Sequence, residues 1–202
     1  MMQATQSRRR LSRQSLLTTS VIIFAVVVGS FVSKLMPGLN DLGSQPFVRH
    51  AAVGQTGEMR TGSVTVHDVR VGDALEGPGG KASTTGLWLV VDLDYTAKIE
   101  QQYLAKPTLR DARGREFGGA QALSTICGPA QPGITLHCSV AIEIAKDALP
   151  GSTLVLPASL FARTNPDDVL EVDLGIDDDR AAQLTNGLGP VKVERASLEG
   201  GS

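Results

Sequence analysis

The sequence has no acidic residue in its first 34 positions and no charge of either sign from Gln14 to Ser33. It holds only two cysteines, three histidines and a single tryptophan. No G-x-S-x-G nucleophile elbow occurs, and no G-x-x-x-x-G-K-[ST] loop to cradle phosphates. Gly77–Gly80 lacks the following helix whose amides would bind a phosphate. No catalytic set, metal site or cofactor is therefore expected, and the chain reads as a non-enzyme.

The uncharged run dominates what is present. From Gln14 to Ser33 it is 20 residues long and follows Arg8, Arg9, Arg10 and Arg13. About 20 apolar residues suffice for a helix to cross a ~30 Å hydrocarbon core. Basic residues on the short leading side keep that side in the cytoplasm. A cleaved secretory signal would have a shorter core and a small-x-small site such as Ala-x-Ala. The run's end, Val-Gly-Ser-Phe-Val-Ser-Lys-Leu, has no Ala-x-Ala. The expectation is a single transmembrane signal anchor over Leu16–Leu35, cell-membrane localisation and an extracytoplasmic remainder.

Of the 19 basic residues, five (Arg8, Arg9, Arg10, Arg13 and Lys34) precede residue 35. That leaves 14 against 21 acidic residues in the exported part, a net charge of −7. Phosphate backbones are bound by clustered Lys and Arg, so no nucleic-acid partner is expected.

Both cysteines lie in the exported part, as CGPAQPGITLHC. An oxidising compartment favours a Cys127–Cys138 disulfide, worth roughly 3 kcal/mol for a loop of about a dozen residues. The alternative, a metal site, has only His137 nearby, and strand alternation turns His137 away from Cys138.

Residues 36–60 are rich in Gly, Ser, Gln and Pro and read as a linker. Beyond them, short alternating runs separated by Gly/Pro turns predict an antiparallel β-sandwich over 61–180. In Ser63–Val71 the apolar phase slips at His67–Asp68, as a β-bulge would make it do. Gly72–Gly86 reads as a connecting loop. In Leu87–Thr96, residues Leu87, Leu89, Val91, Leu93 and Tyr95 share one face, with Trp88, Val90, Asp92, Asp94 and Thr96 on the other. Pro107–Phe117 reads as a hairpin turning at Asp111–Gly114. In Ile134–Ile144 the even-numbered residues, from Ile134 to Ile144, point inward. Thr153–Leu156 and Val169–Ile176 complete the strands. A helix capped by Asp177 and ended by Asn186-Gly187 follows, then an edge strand through Val191 and Val193 and a flexible tail within 181–202.

The order LWLVVDLDY, PTLRDARGREF, AQPGITLHCSVAIEI, ALPGSTLVL resembles an immunoglobulin-like domain of unknown function. That domain occurs on bacterial, mainly Gram-positive, surface proteins and lipoproteins, and is related to a secreted immunoprotective antigen of mycobacteria. The resemblance covers Ser63–Leu156 and implies an immunoglobulin-like sandwich, without an implied activity. The lipobox cysteine of the lipoprotein members is missing after the apolar run.

Candidate site residues are few. Asp92 and Asp94 stand at i, i+2 on one strand face, ~6–7 Å apart. Trp88 on the same face offers either a ligand platform or core filling between the sheets. His67 and Asp68, as strand neighbours, point to opposite faces and are not expected to meet outside the bulge. His137 is expected to face solvent. Asp167-Asp168 and Asp177–Asp179 lack the alternate ligand spacing of a calcium loop. The function expected is a membrane-anchored interaction module of the cell envelope with a protein or glycan partner. The alternative is a small-ligand binder or enzyme using Trp88, Asp92 and Asp94.

Overall fold

A proline-free apolar run satisfies its backbone hydrogen bonds within itself, and helix α1 covers Arg13–Leu35. The computed structural model describes residues 13–35, 46–104, 107–118, 127–157 and 168–198. Arg8–Arg10 and the tail 199–202 lie outside them. Two units are formed, Met1–Gln45 and Pro46–Ser202.

In the first unit the described side chains of α1 are exposed, Phe24 at 72% and Phe31 at 66%. Among the described residues no helix is long and apolar enough to cross a membrane. The helix expected at Leu16–Leu35 is present; a membrane-crossing span is not shown.

The second unit is a β-sandwich. One sheet has the order β1 (Phe47–Ala52), β11 (Asp168–Asp173), β10 (Thr153–Pro157), β6 (Thr108–Arg110), β7 (Glu116–Gly118). The other has β12 (Pro190–Lys192), β3 (Gly62–Gly77), β4 (Gly80–Ala97), β9 (Thr135–Ile144), β13 (Ser197–Leu198), with β2 (Thr56–Glu58) also on β3. A two-stranded sheet joins β5 (Gln102–Leu104) to β8 (Cys127–Ala130). The pairing is mixed rather than wholly antiparallel, since β1 runs parallel to β11 and β12 parallel to β3.

The core lies between the sheets. Leu87, Leu89, Val91, Leu93 and Tyr95 meet Val140, Ile142, Leu154, Leu156, Leu170 and Val172 there, all buried. The β-bulge is where the phase slip places it. Val66 pairs with Leu93 and Asp68 with Asp92, leaving His67 without a partner in the register. The extra residue returns Val69 and Val71 to the core face shared by Val64 and Val66.

Several expectations are corrected. Residues 47–58, expected in a linker, hold β1 and β2, because β1 finds its partner 121 residues downstream and local pattern is blind to it. Residues 36–45 lie outside the described residues. Gly72–Gly86 is no loop: β3 and β4 continue as a ribbon whose turn is only Pro78-Gly79. Ile134 is 44% exposed in the turn before β9. The strand expected at Val169–Ile176 stops at Asp173, yet Leu174 and Ile176 remain in the core.

The 107–117 hairpin closes as expected. The Asp111 carboxylate accepts from the backbone N–H of Arg113 (2.9 Å) and Arg115 (2.8 Å), and Gly114 takes φ +76°. Helix α2 (Asp178–Thr185) is capped by Asp177, which accepts from the Arg180 N–H at 2.7 Å. Cys127 and Cys138 form the expected disulfide, with Cα atoms 5.5 Å apart. Cys127 is held opposite Leu104 by β5 and β8, while Cys138 faces the core from β9.

Candidate functional site: the outer face of β3, β4 and β9

Strand β4 is central because from Leu87 to Tyr95 one of its faces is apolar, while the other changes character along that stretch. Early in the stretch, Trp88 and Val90 form a second small core with Leu75, Ala141 and Val193, against which Ala82 and Val191 pack. Leu75 comes from the β3–β4 ribbon beyond its irregularity at Gly72–Ala74, and Val193 from the segment between β12 and β13. Trp88 is 3% exposed. It fills a core, but on the outer side of the sheet rather than between the sheets, and as a ligand platform it is covered.

Beyond Val90 the same face becomes polar. In the register Asp92 lies opposite Ser139, and Asp94 opposite His137. The Arg70 guanidinium donates to Asp92 twice, Nε to Oδ2 and Nη2 to Oδ1, both at 2.9 Å. The Ser139 hydroxyl donates to Asp92 Oδ1 at 2.5 Å. Planar, two-point pairing of this kind is the strongest geometry available to an Arg–carboxylate contact.

Asp94 sits between two histidines. His67 Nε2 lies 2.7 Å from Asp94 Oδ2 and His137 Nδ1 lies 2.9 Å from Oδ1. Burial raises the Asp94 carboxyl, but the hydrogen bonds from His137 and His67, with their charge interaction, outweigh it. The carboxyl is held below the usual carboxylate range. The two rings are 6.3 Å apart, tilted by 32°. Side-chain exposures of 44% for His67 and 46% for His137, against 20% for Asp94, make this an open row with its carboxylate at the base.

The structure therefore brings Asp92 and Asp94 onto one face, as their spacing requires, but gives each its own partners. Neither is a free carboxylate waiting for a shared substrate. His137 is exposed as expected and also bonds Asp94 across the strands. His67 meets Asp94 rather than Asp68. Arg70 and Ser139 were not singled out from the sequence, because cross-strand register decides their contacts. The one available signal was the bulge, which turns both His67 and Asp68 outward.

Among the described residues no group of three His, Cys, Asp or Glu side chains is gathered to hold a metal. Asp168 is buried and contacts Arg49 Nε at 3.6 Å and the Arg60 N–H, while Asp177 caps α2.

No family model matches this chain. No curated protein matches it. Among solved structures it is similar to the crystal structure of an uncharacterized β-sandwich protein from Clostridium difficile 630. That likeness is at 8% identity and a TM-score of 0.41, covering 64% of this chain and 95% of the other.

Proposed function

We propose that this protein is a non-catalytic, immunoglobulin-like β-sandwich module of the cell envelope, tethered by its N-terminal helix and acting through contacts with a protein or glycan. The observation that carries the reading is the polar row on β3, β4 and β9. It is open to solvent, and both of its aspartates, Asp92 and Asp94, are already paired across strands. Such a face suits recognition of another surface better than chemistry on a substrate, which needs an uncommitted acid, base or nucleophile.

The extracytoplasmic placement is supported by the disulfide, which persists in oxidising compartments. The tether is supported by the uncharged run behind an arginine cluster and by the exposed apolar side chains of α1.

A photo-crosslinking residue at Asp68, beside the row, tests the recognition face in living cells. Adducts to one envelope protein or glycan are expected there and not from a control position at Thr153 on the other sheet. Identical adducts from both positions would overturn the assignment of the face. A reporter active only outside the membrane, fused after Ser202, is expected to be on. A signal from a cytoplasm-only reporter would overturn the tether's orientation.

A further inference from the structure

We propose that the end of the sandwich at which the chain enters is a membrane-docking surface, resting Phe47, Ile99 and Ile134 on the lipid interface. A single exposed apolar residue is ordinary on a folded surface, whereas a group of them marks a contact. Among the described residues of the second unit, the large exposed apolar side chains are Phe47, Val48, Val53, Ile99, Ile134 and Leu198. All but Val53, which follows the far end of β1, gather at one end of the sandwich. Ile99 is 78% exposed and Phe47 56%.

A chain of contacts joins these residues across that end. Phe47 opens β1 opposite Asp168, and the Arg60 guanidinium lies 4.2 Å over its ring. The Asp168 carboxylate accepts from the Arg60 N–H. Next to Arg60, the Thr61 carbonyl accepts from the Lys98 N–H at 2.9 Å, and Ile99 follows Lys98. The Ala97 carbonyl accepts from the Gly133 N–H at 2.9 Å, and Ile134 follows Gly133. Leu198 pairs with Leu136 just beyond it. At the opposite end Ile144, paired with Leu87, and Ile176, whose carbonyl accepts from the Gly151 N–H, are both buried.

The chain itself points to the occupant. Residues 36–46 join α1 to Phe47, a reach of roughly 40 Å at full extension. With α1 as the tether proposed above, on which this inference rests, Phe47 is where the leash from the bilayer attaches. Charge at this end is balanced, Arg49, Arg60 and Lys98 against Glu58, Glu100 and Asp168. Anionic headgroups therefore gain little there. Attachment comes instead from apolar side chains entering the boundary between headgroups and acyl chains, where exposed Phe and aliphatic residues lose their contact with water.

The test uses the full chain with 13C-labelled isoleucine methyls, in phosphatidylcholine nanodiscs carrying a small fraction of gadolinium-chelating lipid. Methyl signals of Ile99 and Ile134 are expected to broaden roughly threefold more than those of Ile144 and Ile176, in low and in high salt alike. In Phe47→Ser/Ile99→Ser, which changes only exposed positions, the Ile134 broadening is expected to fall about twofold or more. Equal broadening at the two ends would overturn the docking surface. So would undiminished Ile134 broadening in the double variant, which would assign the difference to the leash alone, and loss of the effect in high salt would overturn its apolar basis. Ile22 and Ile23 of α1 report on the tether separately. Broadening there but not at Ile99 and Ile134 overturns the docking and keeps the tether; broadening at neither pair overturns both.

Discussion

His137 Nδ1 lies 2.9 Å from Asp94 Oδ1, and the two residues face each other across the β4–β9 pairing. The contact makes a solvent-facing residue one member of a row that includes His67 in the bulge of β3. Because Asp94 can only accept, the row dictates tautomers. At a pH where both rings are neutral, long-range 15N–1H spectra are expected to show the proton on Nδ1 of His137 and on Nε2 of His67. The same tautomer at both residues would contradict the geometry.

Trp88 is enclosed by Leu75, Val90, Ala141 and Val193. Its fluorescence is expected to be blue-shifted and poorly quenched by acrylamide. Trp88→Ala is expected to cost about 3–5 kcal/mol in urea unfolding, the range for deleting a large buried aromatic. Ready quenching of the native protein would show that the covering segment does not lie over the ring.

Tyr95 is fully buried, and burial pushes its hydroxyl up to about 12. That hydroxyl has no hydrogen-bond partner among the described residues. A buried polar group left unpaired costs roughly 1–3 kcal/mol, so Tyr95→Phe is expected to leave stability unchanged or raise it by about 1 kcal/mol. A loss above ~1 kcal/mol in chemical denaturation would mean the hydroxyl is bonded.

The Cys127–Cys138 bridge ties β8 to the core face of β9. Native, unreduced protein is expected to show no reactive thiol. Cys138→Ala is expected to lose ~2–5 kcal/mol of stability and to lower abundance through degradation. Quantitative thiol labelling before reduction would refute the bridge.

Asp111 governs acid stability at the β6–β7 turn. Burial raises its carboxyl, but the Arg115 backbone N–H, the Arg115 guanidinium and the Arg113 N–H outweigh it and hold it below its ordinary 3.8. A carboxyl lowered on folding binds fewer protons folded than unfolded. Its stabilisation is complete above the unfolded value and drains away as pH falls through 3.8 toward the folded one. Urea midpoints are expected to fall more steeply below pH 5 in the wild type than in Asp111→Asn. Parallel curves would show that this carboxyl is not responsible.

The sequence by itself determined the features that depend on nearest neighbours. Alternation placed Leu87–Tyr95 and Val140–Ile144 on core faces, because successive strand side chains must point to opposite sides. The phase slip located the bulge at His67–Asp68. Asp177 and Asp111 announced a helix cap and a turn, since a short carboxylate side chain bonds to amides only a few residues away. Tertiary structure decided what depends on register between distant segments. Only the β3–β4–β9 pairing could place His67, Asp94 and His137 in one row, joining residues 27 and 43 positions apart. Only the packing of Leu75 and Val193 against it could bury Trp88, because nothing in LWLVVDLDYT says what covers its second face. Strands β1 and β2 stayed hidden for the same reason: both are short, and β1 is ordered by a partner strand supplied far downstream in the chain.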